Sequence, residues 1–135
     1  MAAELLSNRP GQGEKIGECV KYAGEKCFGI LFGANKAKEI FTNTKTNTGG
    51  TLPYYKTVWT MPEPPCCIIW GNGVNGHVGV IESYTGSDTN KKYRFSDCNR
   101  SPLNGGKVDI KTNMTELAIK QLISENDFLG YVKFK

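Results

Sequence analysis

Cys19, His77, Asp97 and Asn99 are the residues whose types could together do covalent chemistry. A thiolate is a strong nucleophile. An imidazole beside it draws off its proton and later returns one to a leaving amine. A buried carboxylate or amide holds that imidazole in a single tautomer. His77 is the only histidine of the chain and opens the apolar run His77-Val78-Gly79-Val80-Ile81. It follows the turn Gly71-Asn72-Gly73-Val74-Asn75-Gly76, a pattern that predicts a loop entering a strand. Taken alone it reads as a strand histidine bonded to a nearby carbonyl. Alternation places Gly79 on its face, which leaves room there for another backbone, a helix or a ligand.

Asp97 and Asn99 belong to a second period-two pattern. Tyr93, Phe95, Asp97 and Asn99 point one way, and Lys92, Arg94 and Ser96 the other. A carboxylate on an apolar face needs a partner: a lysine, an arginine, backbone N–H groups or an imidazole. Turn-rich residues 85–90 precede this strand, so it is expected to return antiparallel to the His77 strand. Cys19 lies in a first helix candidate, residues 14–28, whose buried stripe is Val20, Ala23 and Cys27. Gly17 permits an abrupt helix start, which puts Cys19 in the first turn, at the border of the buried face. There the free N–H groups favour a thiolate, and the N–H of Cys19 itself is an oxyanion donor.

The remaining elements form the scaffold. Residues 1–12 read as an N-terminal arm and 34–41 as a second, shorter helix. Residues 42–56 read as a long polar loop closed by Tyr54 and Tyr55, which are candidates to line a substrate groove. Residues 57–61 suggest a short strand, and Cys66-Cys67-Ile68-Ile69-Trp70 a central one. Trp59 and Trp70 read as core first and as substrate platform second; Trp70, next to the histidine turn, is the one kept as a substrate-binding candidate. After the turn at 102–106 come a strand at 107–111, an amphipathic helix at 115–123 and a closing strand at 128–134. Glu82 alternates away from His77 and is expected to be solvated or paired with a base. The architecture is α+β, with early helices packed on a mostly antiparallel sheet.

Composition narrows the function classes. The 135 residues make one domain with room for a core. No apolar run reaches the roughly 20 residues of a membrane span, and residues 1–6 lack a signal-peptide pattern. A chain made in a host cytoplasm without its own signal is expected, with no membrane insertion. The net charge of +4 comes from scattered Lys and Arg, which argues against a nucleic-acid partner. The five cysteines include no C-x-x-C pair and face a single histidine, so neither structural zinc nor a full disulfide framework is expected. Cys27 and Cys98 read as buried thiols, and the neighbours Cys66 and Cys67 point to opposite faces.

With these residues in place, the chain resembles the CHAP domains, the cysteine, histidine-dependent amidohydrolases/peptidases. Gly17-Glu18-Cys19-Val20 looks like their nucleophile motif, and Asn75-Gly76-His77-Val78-Gly79-Val80-Ile81 is similar to their histidine strand. Asp97-Cys98-Asn99 resembles their acidic-x-Asn pair, and Phe128-Leu129-Gly130-Tyr131-Val132 their closing strand. The resemblance runs from about Gln12 to the C-terminus. It implies a papain-like fold and hydrolysis of an amide bond in bacterial peptidoglycan, as in phage endolysins and wall-remodelling enzymes. Either an N-acetylmuramoyl-L-alanine amidase or a peptidoglycan endopeptidase fits. The chain departs from the family in having Glu18 where Gln is frequent, and Pro65-Cys66-Cys67-Ile68 where Gly-Asp is usual. It also lacks the D-x-D-x-D-G pattern of calcium-binding relatives. The expected protein is a monomeric Cys-His-Asp/Asn hydrolase without cofactor or metal. Its rivals are a catalytically silent wall-binding module of the same fold and a small basic nucleic-acid binder.

Overall fold

A computed structural model describes residues 4–42, 54–57, 61–100 and 105–135. Trp59, most of the polar loop (43–53), the middle of the expected 57–61 strand and the start of the 102–106 turn lie outside the described residues. The fold is mixed α/β: one antiparallel sheet of six strands and a few short helices. In chain order the strands are β1 (Tyr54–Thr57), β2 (Cys66–Trp70), β3 (His77–Thr85), β4 (Lys92–Cys98), β5 (Val108–Met114) and β6 (Phe128–Phe134). They lie in the order β1-β6-β2-β3-β4-β5. The helices are α1 (Cys19–Lys21), which runs on into a π-helical turn (Tyr22–Lys26), then α2 (Ala37–Thr42) and α3 (Glu116–Lys120).

The strand patterns explain the layers. All five residues of β2 are buried, because this central strand is covered on both faces. On one face Cys67, Ile69, Val78, Val80, Val132 and Phe134 pack against Tyr22, Ala23, Cys27, Ala37 and Ile40 of the first two helices. On the other, Cys66, Ile68, Trp70, Ile81, Tyr93, Phe95 and Tyr131 pack against Ile119 of α3. The expected helical layer is therefore present, and α3 adds a second one across the sheet. Thr115 starts α3 by accepting a hydrogen bond from the Ala118 N–H at 3.1 Å.

Three expectations are corrected. The first helix does not begin at residue 14. Residues 13–17 are drawn into pairing with the far edge of the sheet: Gly13 N–H donates to the Val108 carbonyl and Val108 N–H to that of Glu14, both at 2.8 Å. Ile16 and Gly17 N–H both donate to the Gly106 carbonyl at 2.9 Å, and this pairing holds the segment out of the helix. Gly17 then reverses the backbone at φ +102°, and the helix begins at Cys19, as its first-turn placement requires. Secondly, Tyr54 and Tyr55 do not close a loop but open β1, paired with β6. Thirdly, Gly79 leaves no vacancy. A Cβ there would stand 2.4 Å from the Phe95 ring, which fills the space from β4.

Candidate active site

His77 starts β3 because the preceding turn is shaped for it. Gly76 takes φ +71°, and a Cβ at that position would meet the Trp70 carbonyl oxygen at 2.5 Å and Lys38 at 2.8 Å. The turn is docked on α2, where Lys38 N–H donates to the Asn75 carbonyl and Lys38 Nζ to that of Gly73, both at 3.0 Å. The imidazole is 4% exposed and lies against Trp70, the ring centroids 5.6 Å apart. Its Nε2 lies 2.9 Å from Oδ2 of Asp97. The antiparallel register makes that contact: Asp97 pairs with Gly79, two residues along from His77 and on the same face.

Cys19 arrives from the other layer. It is the first helical residue, after the extended Glu18, and it lines the same cleft as His77. With Nε2 facing Asp97, Nδ1 is the imidazole nitrogen left for the thiol. Burial by itself would lower the imidazole's pKa. The hydrogen bonds to Asp97 and Cys19, and the charges of those two groups, outweigh burial and push it up to about 9. Cys19 and His77 line one cleft with Glu18, Lys36, Asn75 and Asn99. Being first in the helix, the Cys19 N–H has no intrahelical acceptor.

Asp97, not Asn99, is the group against the ring. Asn99 lies past the end of β4 with φ +60°. It is exposed and borders the cleft, so the period-two reading holds through Asp97 and stops there. Asp97 is 0% exposed and has both an imidazole and an arginine as partners. Arg100 Nη1 donates to both Asp97 oxygens at 2.9 Å, and its Nη2 donates to Oδ2 of Asp109 at 2.6 Å. The signal was in the sequence: an arginine three residues past a carboxylate that needed compensation.

The expected substrate residues are not brought to this cleft. Trp70 is 0% exposed and donates from Nε1 to the Lys120 carbonyl at 2.9 Å; it is a wall behind His77, not a platform. Tyr54 is 3% exposed, with its hydroxyl on the Ile40 carbonyl. Tyr55 is 61% exposed but borders a different groove, with Met61, Cys66 and Tyr131. Alternation along β1 sends the two tyrosines to opposite faces, and β1 is separated from the His77 strand by β6 and β2, so neither reaches the cleft.

The other cysteines are buried free thiols. Burial pushes Cys27 and Cys66 up to about 12, and raises Cys67 and Cys98 as well. Cys66 and Cys67 do face opposite layers. Glu82 pairs with bases, Arg9 at 2.9 Å and Arg94 at 3.1 Å. Among the described residues, no group of three or more His, Cys, Asp or Glu is placed to hold a metal ion, and no helix is long and apolar enough to cross a membrane. Fold and site together define a mixed α/β chain carrying a Cys-His-Asp constellation in an open cleft. Comparison of the chain with protein-family models, with curated proteins and with solved structures returns no match.

Proposed function

We propose that this chain is a CHAP-like, papain-fold cysteine amidohydrolase that cleaves an amide bond of bacterial peptidoglycan, in the manner of a phage endolysin. The observation that carries the reading is that Cys19 and His77 line one cleft while His77 is backed by the buried Asp97 at 2.9 Å. A lone strand histidine would need none of these companions. The motifs around Cys19, His77 and Asp97 supply the substrate class by their resemblance to the CHAP family.

In the attacking form of the centre the Cys19 proton has passed to His77, leaving a thiolate beside an imidazolium. The thiolate attacks the amide carbonyl carbon, and the displaced electron pair comes to rest on oxygen, facing the Cys19 N–H. Collapse breaks the C–N bond as His77 gives its proton to the departing amine. The remaining thioester is attacked by a water that loses its proton to His77. Collapse then expels the thiolate, releases the carboxylic acid and restores the ion pair. Asp97 keeps Nε2 oriented throughout and stabilises the imidazolium.

Clearing of a cell-wall suspension tests this reading. Cys19→Ala should stay folded and lose lysis. Cys19→Ser should also fail, since a hydroxyl is far less ionised beside the same base. Mass spectrometry of the digested wall distinguishes the bonds: new alanine N-termini beside intact glycan mark an amidase, and cut stem peptides or bridges an endopeptidase. Lysis by a folded Cys19→Ala protein would falsify the mechanism.

A further inference from the structure

We propose that Arg100 is a positioning residue of the Cys19–His77–Asp97 centre, holding the Asp97 carboxylate in place and compensating it while His77 carries no charge. The inference rests on the hydrolytic reading of those three residues. Asp97 is wholly buried, and a buried carboxylate needs a partner at every stage. The imidazole is a cation only part of the time, because it is neutral between protonating the amine and deprotonating water. A guanidinium never gives up its proton.

The geometry suits that task. Arg100 Nη1 reaches both Asp97 oxygens at 2.9 Å, and Oδ2 is the atom His77 also meets at 2.9 Å. The cation thus sets the tilt of the carboxylate that the ring lies against. Arg100 is itself anchored through Nη2 to Asp109 at 2.6 Å, and Asp109 is held by Gln12 Nε2 at 3.3 Å and Lys111 at 3.6 Å. Arg100 does not line the cleft, so it acts through Asp97 and not on substrate. The charged or titratable groups facing the imidazole side of the cleft are Cys19 and Glu18 at the start of α1, Lys36 ahead of α2, and Asp97 on β4. Trp70 and Ile123 add only apolar surface. Without Arg100 the full negative charge of Asp97 acts on the imidazolium. The pair then keeps its proton to higher pH and gives it up less readily to the amine.

The chain has one histidine, so its imidazole NMR signal is unambiguous and can be titrated without reference to activity. In Arg100→Gln the titration midpoint should rise by about one pH unit, the low end for a charge this close. Turnover of solubilised wall fragments should fall about tenfold in kcat with KM little changed. Arg100→Lys keeps the charge and should return the midpoint towards wild type and recover part of kcat. Asp109→Asn frees the far end of Arg100 and should lower kcat less, with a smaller rise in midpoint; it carries the test if Arg100→Gln does not fold. A folded Arg100→Gln that titrates like wild type overturns the proposal, whatever its rate, and so does an unmoved midpoint in Asp109→Asn when that variant carries the test. If the wild type leaves peptidoglycan intact but the midpoint moves as stated, the functional reading fails while the hold of Arg100 on the pair stands.

Discussion

At the scale of single residues, the division of labour between Asp97 and Asn99 is open to direct measurement. Asp97 touches His77, whereas Asn99 borders the cleft from beyond the strand. Asp97→Asn keeps the shape and removes the charge, so the rate should drop, by up to about 10⁴-fold if serine triads are a guide. Asn99→Ala should cost less. Rates and circular dichroism of both variants check the order, and a crippled Asn99→Ala beside a near-normal Asp97→Asn reverses the assignment. His77 also predicts a pH dependence. Its pKa is pushed from 6.5 to about 9, so the imidazolium needed for leaving-group protonation persists through neutrality, and kcat/KM should fall above about pH 9. The same shift bears on stability. The folded chain holds this proton more tightly than the unfolded one, so the contribution is complete below about 6.5 and is lost as pH rises through about 9. Urea denaturation across that range should show the slope in wild type and a weaker one in His77→Gln.

At the scale of elements, β3 and β4 carry the site, and their contact at Gly79 is the tightest constraint on it. Gly79 faces the Phe95 ring and pairs with Asp97. Gly79→Ala should therefore destabilise by about 1–3 kcal/mol, the usual cost of overpacking a filled core. Because Asp97 sits on the displaced strand, the same change should weaken its bond to His77. Phe95→Leu combined with Gly79→Ala should recover part of the loss, read as a coupling energy in a double-mutant cycle. Additive losses would mean that the ring does not occupy the space. The start of α1 depends on a similar close approach: a Cβ on Gly106 would come within 3.0 Å of the Gly17 Cα. The close approach calls for glycine at 106, and the positive φ calls for it at 17.

At the scale of the whole molecule, the two apolar layers bury every cysteine except Cys19, which is partly exposed. A neutral-pH thiol-labelling experiment on the folded protein should accordingly show one fast cysteine, lost in Cys19→Ala, and four that react only on unfolding. Several fast thiols would contradict the packing described here. Wall lysis should also survive exhaustive dialysis against EDTA, since the proposed cycle routes no step through a metal. If clearing stops and returns with added Ca²⁺ or Zn²⁺, a metal site takes part.

Much of this was legible in the chain because the strongest signals are local. Period-two alternation located β3 and β4 and put Asp97 on the aromatic face, and the apolar run 66–70 marked β2 at its observed bounds. The turn glycines announced the starts of β3 and α1 in the same way, since φ near +71° at Gly76 and +102° at Gly17 is a property of the residue type. What local patterns could not decide was which backbone would compete for residues 14–17, or which side chain would enter the space at Gly79. Nor could they show that Tyr54 and Trp70 would be enclosed while Asn99 left the sheet. Each outcome depends on a partner far away in sequence: Val108 and Gly106 for the arm, Phe95 for Gly79, Ile40 for Tyr54, Lys120 for Trp70. The sequence by itself determined the thiol, the imidazole and the carboxylate as residue types on their elements. Only the tertiary structure decided that Asp97 would serve His77 and Arg100 at once, because sharing one buried carboxylate between two cations is settled by packing and not by spacing.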